Sequence, residues 1–303
     1  MSALLALFLN NLLPIFLSAG AGYVLSRLMN LNPRTLAQVI FYIFSPCLIF
    51  NLITHNQLGN GDIARMMILA ALVMALVGLI TWLFGRLMKL ERRMMAALLL
   101  TSTFMNAGNF GLSLNLFAFG DPGLAYASLF FITSSIMNYT VGVVIASMGR
   151  ASLLQALVNL VKIPAIYALV LAFLFQTTNW QLPLPLERTT TLLGDAAIPS
   201  MLVLLGLQFR SIHWAGNMAP LVMTHMMRLF IAPALAIGLS VLLGLQGTAR
   251  QAGVIESAMP TAVLTTVIAT EFDVEPAFVA SAVFATTIFS AITLTPLLAY
   301  LGG

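Results

Sequence analysis

Long stretches without a single Asp, Glu, Lys or Arg constrain this chain more than any other feature. Residues 66–85, 94–120, 122–149 and 276–303 are of this kind. Each is near or above the ~20 residues that span ~30 Å of hydrocarbon as a helix. Strands of a membrane barrel would alternate apolar and polar residues in segments of ~10, and a run such as MMILAALVMALVGLITWLFG does not alternate. The sequence therefore reads as an all-α membrane protein.

Composition agrees, because 60% of the residues are hydrophobic and only 7% charged, against roughly 25% charged in an ordinary soluble domain. Thirteen basic and nine acidic residues with three histidines cannot clothe a globule of this size, so most of the outer surface must face lipid. The one cysteine, Cys47, lies in an apolar segment, which leaves no disulfide framework and no thiol cluster for a metal. No motif calls for a cofactor. The basic residues sit at helix ends instead of forming one patch, so a nucleic-acid partner is not expected. The start, MSALLALFLNNLLP, has no basic residue before its apolar run and no clear cleavage site, and is read as a retained first helix.

Ten spans are expected near residues 3–26, 36–54, 66–88, 94–118, 123–149, 153–175, 189–209, 218–244, 251–270 and 277–300. An even number puts both termini on one side. One set of loops then holds Arg27, Arg34, Arg86, Lys89, Arg92, Arg93, Arg150, Lys162 and Arg210, and the other Arg65, Arg188 and Arg250. By the positive-inside rule the first set is cytoplasmic. The expectation is a multi-pass protein of the cell (inner) membrane with both termini outside.

The two halves echo each other. Pro46 lies 153 residues before Pro199, and FGDPGLAYAS at 119–128 lies 153 before FDVEPAFVAS at 272–281. Five spans per half is an odd number, so residues 1–150 and 151–303 would form an inverted repeat, a pattern of secondary transporters. Coincidental placement of the prolines is the alternative.

The fourth span contains TSTFMNAGNFGLSL, with Asn106, Gly108, Asn109 and Gly111 at mid-membrane, among the poorest residues for a helix interior. Two readings are open. The helix unwinds there to line a cavity, or small residues and amides serve close helix packing. In the ninth span VIESAMPTAVLTT carries Pro260, which removes a backbone hydrogen bond and clashes with the preceding turn, so a break is expected near 257–262. Interruptions at matching positions of inverted halves mark a midplane site, and half-helix N-termini there suit an anion.

At these residues the sequence resembles the auxin efflux carrier family, which includes the plant PIN auxin exporters and bacterial permeases for malate or similar acids. The resemblance rests on SPCLIF at 45–50, MNAGNFGLSL at 105–114, LLGDAAIPSMLVLLG at 192–206, MRLFIAP at 227–233, and AMPTAV at 258–263 followed by EFDVEPAFVAS. It implies a ten-helix fold like that of sodium/proton antiporters and bile-acid transporters. Spans 1, 2, 6 and 7 would be the scaffold, and spans 3–5 and 8–10 a transport domain that moves as an elevator around the crossover of spans 4 and 9. It also implies that Asn106 and Pro260 sit at the crossover, with Asn109 and Thr261 beside them. Two departures stand out. The chain has Gly111-Leu112-Ser113 where the family often has Gly-x-Pro, so Ser113 could offer a hydroxyl, and Met105 replaces a crossover proline of PIN proteins.

Three charged residues remain open. Glu256 precedes Pro260 by four residues, so a continuing helix would put both on one face; it is a coupling group or an acid near the outer mouth. Asp195 matches an acid of PIN sequences and is a coupling group or a scaffold partner. Arg228 is either buried, where it would attract carboxylates, or snorkels to the surface. His55, His213 and His225 form no ligand cluster, and Asn10, Asn11 and Pro14 either loosen the first span or, through the Asn side chains, meet substrate from the scaffold.

The expected function is a secondary carrier of small organic anions, carboxylates, in the lipid bilayer, with a proton or sodium ion as possible coupling partner and a homodimer left open. The alternative is a sodium- or proton-coupled antiporter on the same fold. An intramembrane protease is not expected: Gly111-Leu112-Ser113-Leu114 lacks the second Gly of Gly-x-Ser-Gly, and Leu192-Leu193-Gly194-Asp195 lacks the first Gly of Gly-x-Gly-Asp.

Overall fold

A computed structural model describes residues 2–55, 60–147, 161, 163–178, 180–209 and 218–302. Arg150, Lys162, Arg210, His213, the start of the expected sixth span and the boundary between the expected halves lie outside the described residues. In chain order the helices are α1 (Ala3–Leu28), α2 (Pro33–His55), α3 (Gly61–Leu87), α4 (Arg92–Thr103), α5 (Ala107–Ala146), α6 (Pro164–Thr178), α7 (Leu184–Gln208), α8 (Met218–Leu242), α9 (Gly247–Ser257), α10 (Leu264–Glu271) and α11 (Pro276–Leu301).

Among the described residues seven helices, α1, α2, α3, α5, α7, α8 and α11, are long and apolar enough to cross a membrane. Ten spans were expected. The numbers differ because the expected fourth and ninth spans are each split into shorter pieces, the second piece of the fourth runs on with the fifth in α5, and the sixth is described only as the 15-residue α6. Within α5, Gly120 at φ 66° and ψ −162° separates two helical runs, a conformation open to glycine because it has no Cβ. Pro122 follows in the next run.

Three helices widen into a π-helical turn two residues ahead of a proline. The turns are Phe8–Leu12 before Pro14, Ile40–Phe44 before Pro46, and Met227–Ile231 before Pro233. A proline ring clashes with the carbonyl four residues back, here that of Asn10, Tyr42 and Leu229. Widening that turn lets the helix continue. The turns at Ala107–Leu112 and Asn138–Gly142 have no such proline.

Close packing depends on missing side chains. A Cβ on Gly206 of α7 would lie 1.8 Å from the Ala19 carbonyl oxygen of α1, and one on Gly22 would lie 2.2 Å from that of Val203, so the two backbones touch. Helix α2 packs on α6 and α7, α5 packs on α3 and α9, and α8 packs on α3 and α9. Outward-facing positions are apolar: Leu28, Leu242 and Ile292 are 70–82% exposed, as expected of side chains solvated by lipid.

Candidate functional site

The interruptions of the two split helices meet. Helix α4 ends at Thr103 and α5 begins at Ala107, and α9 ends at Ser257 with α10 starting at Leu264. Between them Met105 and Thr261 form an antiparallel bridge. The Asn106 N–H donates to the Pro260 carbonyl at 2.7 Å and the Ala262 N–H to the Phe104 carbonyl at 2.9 Å. Backbone groups freed by each break thus find partners in the other, the condition for irregular chain inside a membrane. Thr261 adds to this frame: its N–H donates to the Thr286 hydroxyl at 3.1 Å, and its own hydroxyl donates to the Thr101 carbonyl at 2.8 Å.

Arg228 closes the frame from α8. It is 0% exposed. Its Nη2 donates to the carbonyls of Ser257 at 2.6 Å and Met259 at 3.1 Å, its Nε to Met259 at 3.2 Å and its Nη1 to Ser102 at 3.2 Å. The Ser257 and Ser102 carbonyls belong to the C-terminal ends of α9 and α4, which carry partial negative charge and lack helical partners, and that of Met259 to the chain just beyond α9. One cation therefore caps both broken helices, and no carboxylate lies within ion-pair distance of it among the described residues.

Glu256, one residue before the end of α9, is also 0% exposed. Its carboxylate lies against Gly111, where a Cβ would come within 2.3 Å of Oε2. Asn115, one turn further along α5, donates from Nδ2 to Glu256 Oε1 at 3.0 Å and to the Gly111 carbonyl at 2.9 Å.

A cavity of about 570 Å³ reaches the interruptions from one side. Its inner end is lined by Met105, Asn106, Ala107, Gly108, Asn109, Ala262 and Val263. Its walls carry Gln38, Ser45, Ser135, Asn138, Tyr139 and Gln208, and it extends to Arg34 and Glu271 at helix ends. The Nδ2 of Asn106, a residue 5% exposed, has no hydrogen-bond partner. The first turn of α5 follows directly, and early N–H groups of a helix have no acceptor within it. The inner end of the cavity thus brings together Asn106, with its buried carboxamide nitrogen unpartnered, and the start of α5, where the Ala107 N–H donates to the Met105 carbonyl at 2.9 Å, and it carries no acidic side chain.

The expected site residues divide accordingly. Asn106 and Asn109 line the cavity. Pro260 and Thr261 are buried in the frame behind it, and Ser113, 0% exposed, turns its hydroxyl to the Asn109 carbonyl at 3.4 Å. None of these three is on the lining. Arg228 is buried instead of snorkelling, but its partners are carbonyls and not carboxylates. Asp195 is exposed at the end of the Leu184–Asp195 run. His55 faces Glu187 at 3.8 Å, and Asn11 donates to the Leu7 carbonyl at 3.1 Å. Sequence reasoning missed Gln38, Asn138, Tyr139 and Gln208, which no motif joins, and Asn115, for which the four-residue spacing from Gly111 was the available signal.

A family model described as "Membrane transport protein" matches residues 7–154 and 145–298. An uncharacterized transporter of Methanothermobacter thermautotrophicus is 27% identical over 278 residues, covering 90% of this chain and 91% of its own. An uncharacterized transporter of Methanocaldococcus jannaschii is 25% identical over 273 residues, 86% of each chain. Auxin efflux carrier component 3a of Oryza sativa subsp. japonica is 30% identical over 143 residues, 45% of this chain and 23% of its own. The protein belongs to the membrane transport protein family of the auxin efflux type.

Proposed function

We propose that the protein is a secondary transporter of small organic anions, carboxylates, which bind at the inner end of the cavity. The observation that carries this is the buried, unpartnered Asn106 Nδ2 beside the first turn of α5. A carboxylate there would accept from the carboxamide and from helix N-terminal N–H groups, and the helix dipole favours its charge. Asn109 is a second donor on the wall. Ser113, Pro260 and Thr261 support the turn and the frame, Arg228 holds the broken ends together, and Asp195 is a scaffold surface residue.

In this reading the fold is ten spans in a five-plus-five inverted repeat, with residues 1–150 and 151–303 as halves and the paired interruptions as the crossover of spans 4 and 9. Packing of α1 on α7 and of α2 on α6 and α7 fits a scaffold of spans 1, 2, 6 and 7, and the remaining spans move against it as an elevator. The cavity extends to helix ends flanked by the basic loops, so it opens to the cytoplasm, with both termini outside the inner membrane. An antiporter of cations is less well served, because Glu256 is not on the cavity lining.

A thermal-shift screen over mono- and dicarboxylates, repeated on Asn106→Ala and Thr261→Ala, tests the site. Stabilisation by an acid that Asn106→Ala loses and Thr261→Ala keeps in part is the expected result. Equal stabilisation of all three proteins would move the site elsewhere.

A further inference from the structure

Binding an anion beside Asn106 makes no use of the acid sealed behind it. Glu256 Oε1 accepts from Asn115, but Glu256 Oε2 and Asn115 Oδ1 are buried acceptors without a partner. Turning the amide over cannot relieve this, because Nδ2 also donates to the Gly111 carbonyl, which only accepts. Two partnerless acceptors on neighbouring groups lack one hydrogen between them. A proton on Oε2 would give this pair of groups the donor that it lacks.

No other group nearby supplies the missing charge. Helix α5 brings Gly111 and Asn115, which do not titrate; of its other residues Asp121 is exposed, Tyr126 donates to Asp62 Oδ2 at 3.4 Å and Tyr139 lines the cavity. Helix α3 sets Met66 and Leu69 against Gly253, and its Asp62 and Arg65 pair with each other at 3.3 Å. From α8, His225 Nδ1 lies 2.7 Å from the Leu221 carbonyl and Arg228 is spent on carbonyls. Helix α11 has Tyr300 as its titratable residue, 3.4 Å from Arg250 at the start of α9. The buried charges around the interruptions are therefore those of Arg228 and Glu256. They sum to zero with Glu256 ionised and to one positive charge with Glu256 protonated.

The cavity and the carboxyl lie on opposite sides of one turn, since Asn106 and Asn109 face the cavity while Gly111 touches Glu256. We propose that Glu256 and Asn115 form a proton site coupled to the anion site, so that a proton and an organic anion cross the membrane together. This rests on the organic-anion reading above. The proton comes from water on the side of higher proton activity, forms the Oε2–H bond, and returns to water on the other side when that bond breaks; no electrons are transferred. Across a helix diameter of roughly 10 Å, at an effective dielectric of about 20, repulsion between an ionised Glu256 and a bound monoanion weakens binding roughly 15-fold.

The test uses the full chain in proteoliposomes with the membrane potential clamped, and labelled lactate, succinate and malate as probes. An inward proton gradient without sodium should drive accumulation above the external concentration, with entrapped pH dye reporting proton entry alongside the anion. Glu256→Gln should keep anion exchange at equal concentrations while losing gradient-driven accumulation, and Asn115→Leu should shift the pH profile of uptake. Accumulation driven by sodium alone, anion flux without proton entry in the unaltered protein, or proton-driven accumulation that survives Glu256→Gln would each overturn the coupling and leave the anion reading standing. No flux of any acid by folded protein would overturn both.

Discussion

Replacing Arg228 by Met removes the cation that joins the two broken helices while nearly preserving the volume of the side chain. Three carbonyl oxygens, those of Ser102, Ser257 and Met259, lose their donors. An orphaned buried polar group costs about 1–3 kcal/mol, so the gross loss is roughly 3–9 kcal/mol. Part of this is offset, because a guanidinium no longer has to be held away from water, a penalty of several kcal/mol. A net destabilisation of roughly 2–5 kcal/mol follows, in the range seen when one member of a buried charged network is deleted. Arg228→Lys keeps the charge but not the fork that reaches separate carbonyls, and should recover only part of the loss. Equilibrium unfolding in mixed micelles measures both variants. If Arg228→Met is within about 0.5 kcal/mol of the unaltered protein, the size expected of a change that touches nothing, then the arginine does not hold the interruptions and the capping argument fails.

Other perturbations have distinct signatures. Asn106→Ala should weaken carboxylate binding roughly 10- to 150-fold, the loss of one hydrogen bond to a charged group worth about 1.5–3 kcal/mol, with little change in unfolding; titration calorimetry checks it. Gly111→Ala puts a methyl group 2.3 Å from Glu256 Oε2, and the displacement should cost roughly 1–3 kcal/mol, read in the same unfolding assay. In a Cys47→Ser background, Gln38→Cys on the cavity wall should react with a membrane-impermeant thiol reagent from the cytoplasmic face and be protected from the outer face; labelling from the outer face alone would reverse the assigned orientation.

Helical class and membrane solvent were legible because charge-free stretches of more than twenty residues have few other fates. The interruption at Pro260 was legible too, since proline deletes a donor and carries its own steric signal. Asn106 could be suspected from its company of glycines and amides at mid-membrane, but not the direction of its carboxamide, which depends on Pro260 of a segment 154 positions away taking its backbone N–H. Ser113 looked equally suitable in sequence. Its hydroxyl turns instead to the Asn109 carbonyl, and the residue is not on the cavity lining. Arg228 was ambiguous because a long basic side chain can snorkel from the same depth at which it can be buried, and only carbonyls from two other helices decide between these fates. Asp195 carries a family resemblance but sits on an exposed face, where local sequence gave no warning.

In the proposed function an organic anion crosses this protein by way of Asn106 and the start of α5 at the inner end of the cavity. Counterflow of labelled carboxylates in proteoliposomes tests it most directly, with Asn106→Ala as the site variant and Ser113→Ala as a buried control off the cavity. Flux of at least one carboxylate is expected, strongly reduced in Asn106→Ala and nearly unchanged in Ser113→Ala. Folded protein that moves no organic acid, or flux indifferent to Asn106, would contradict it.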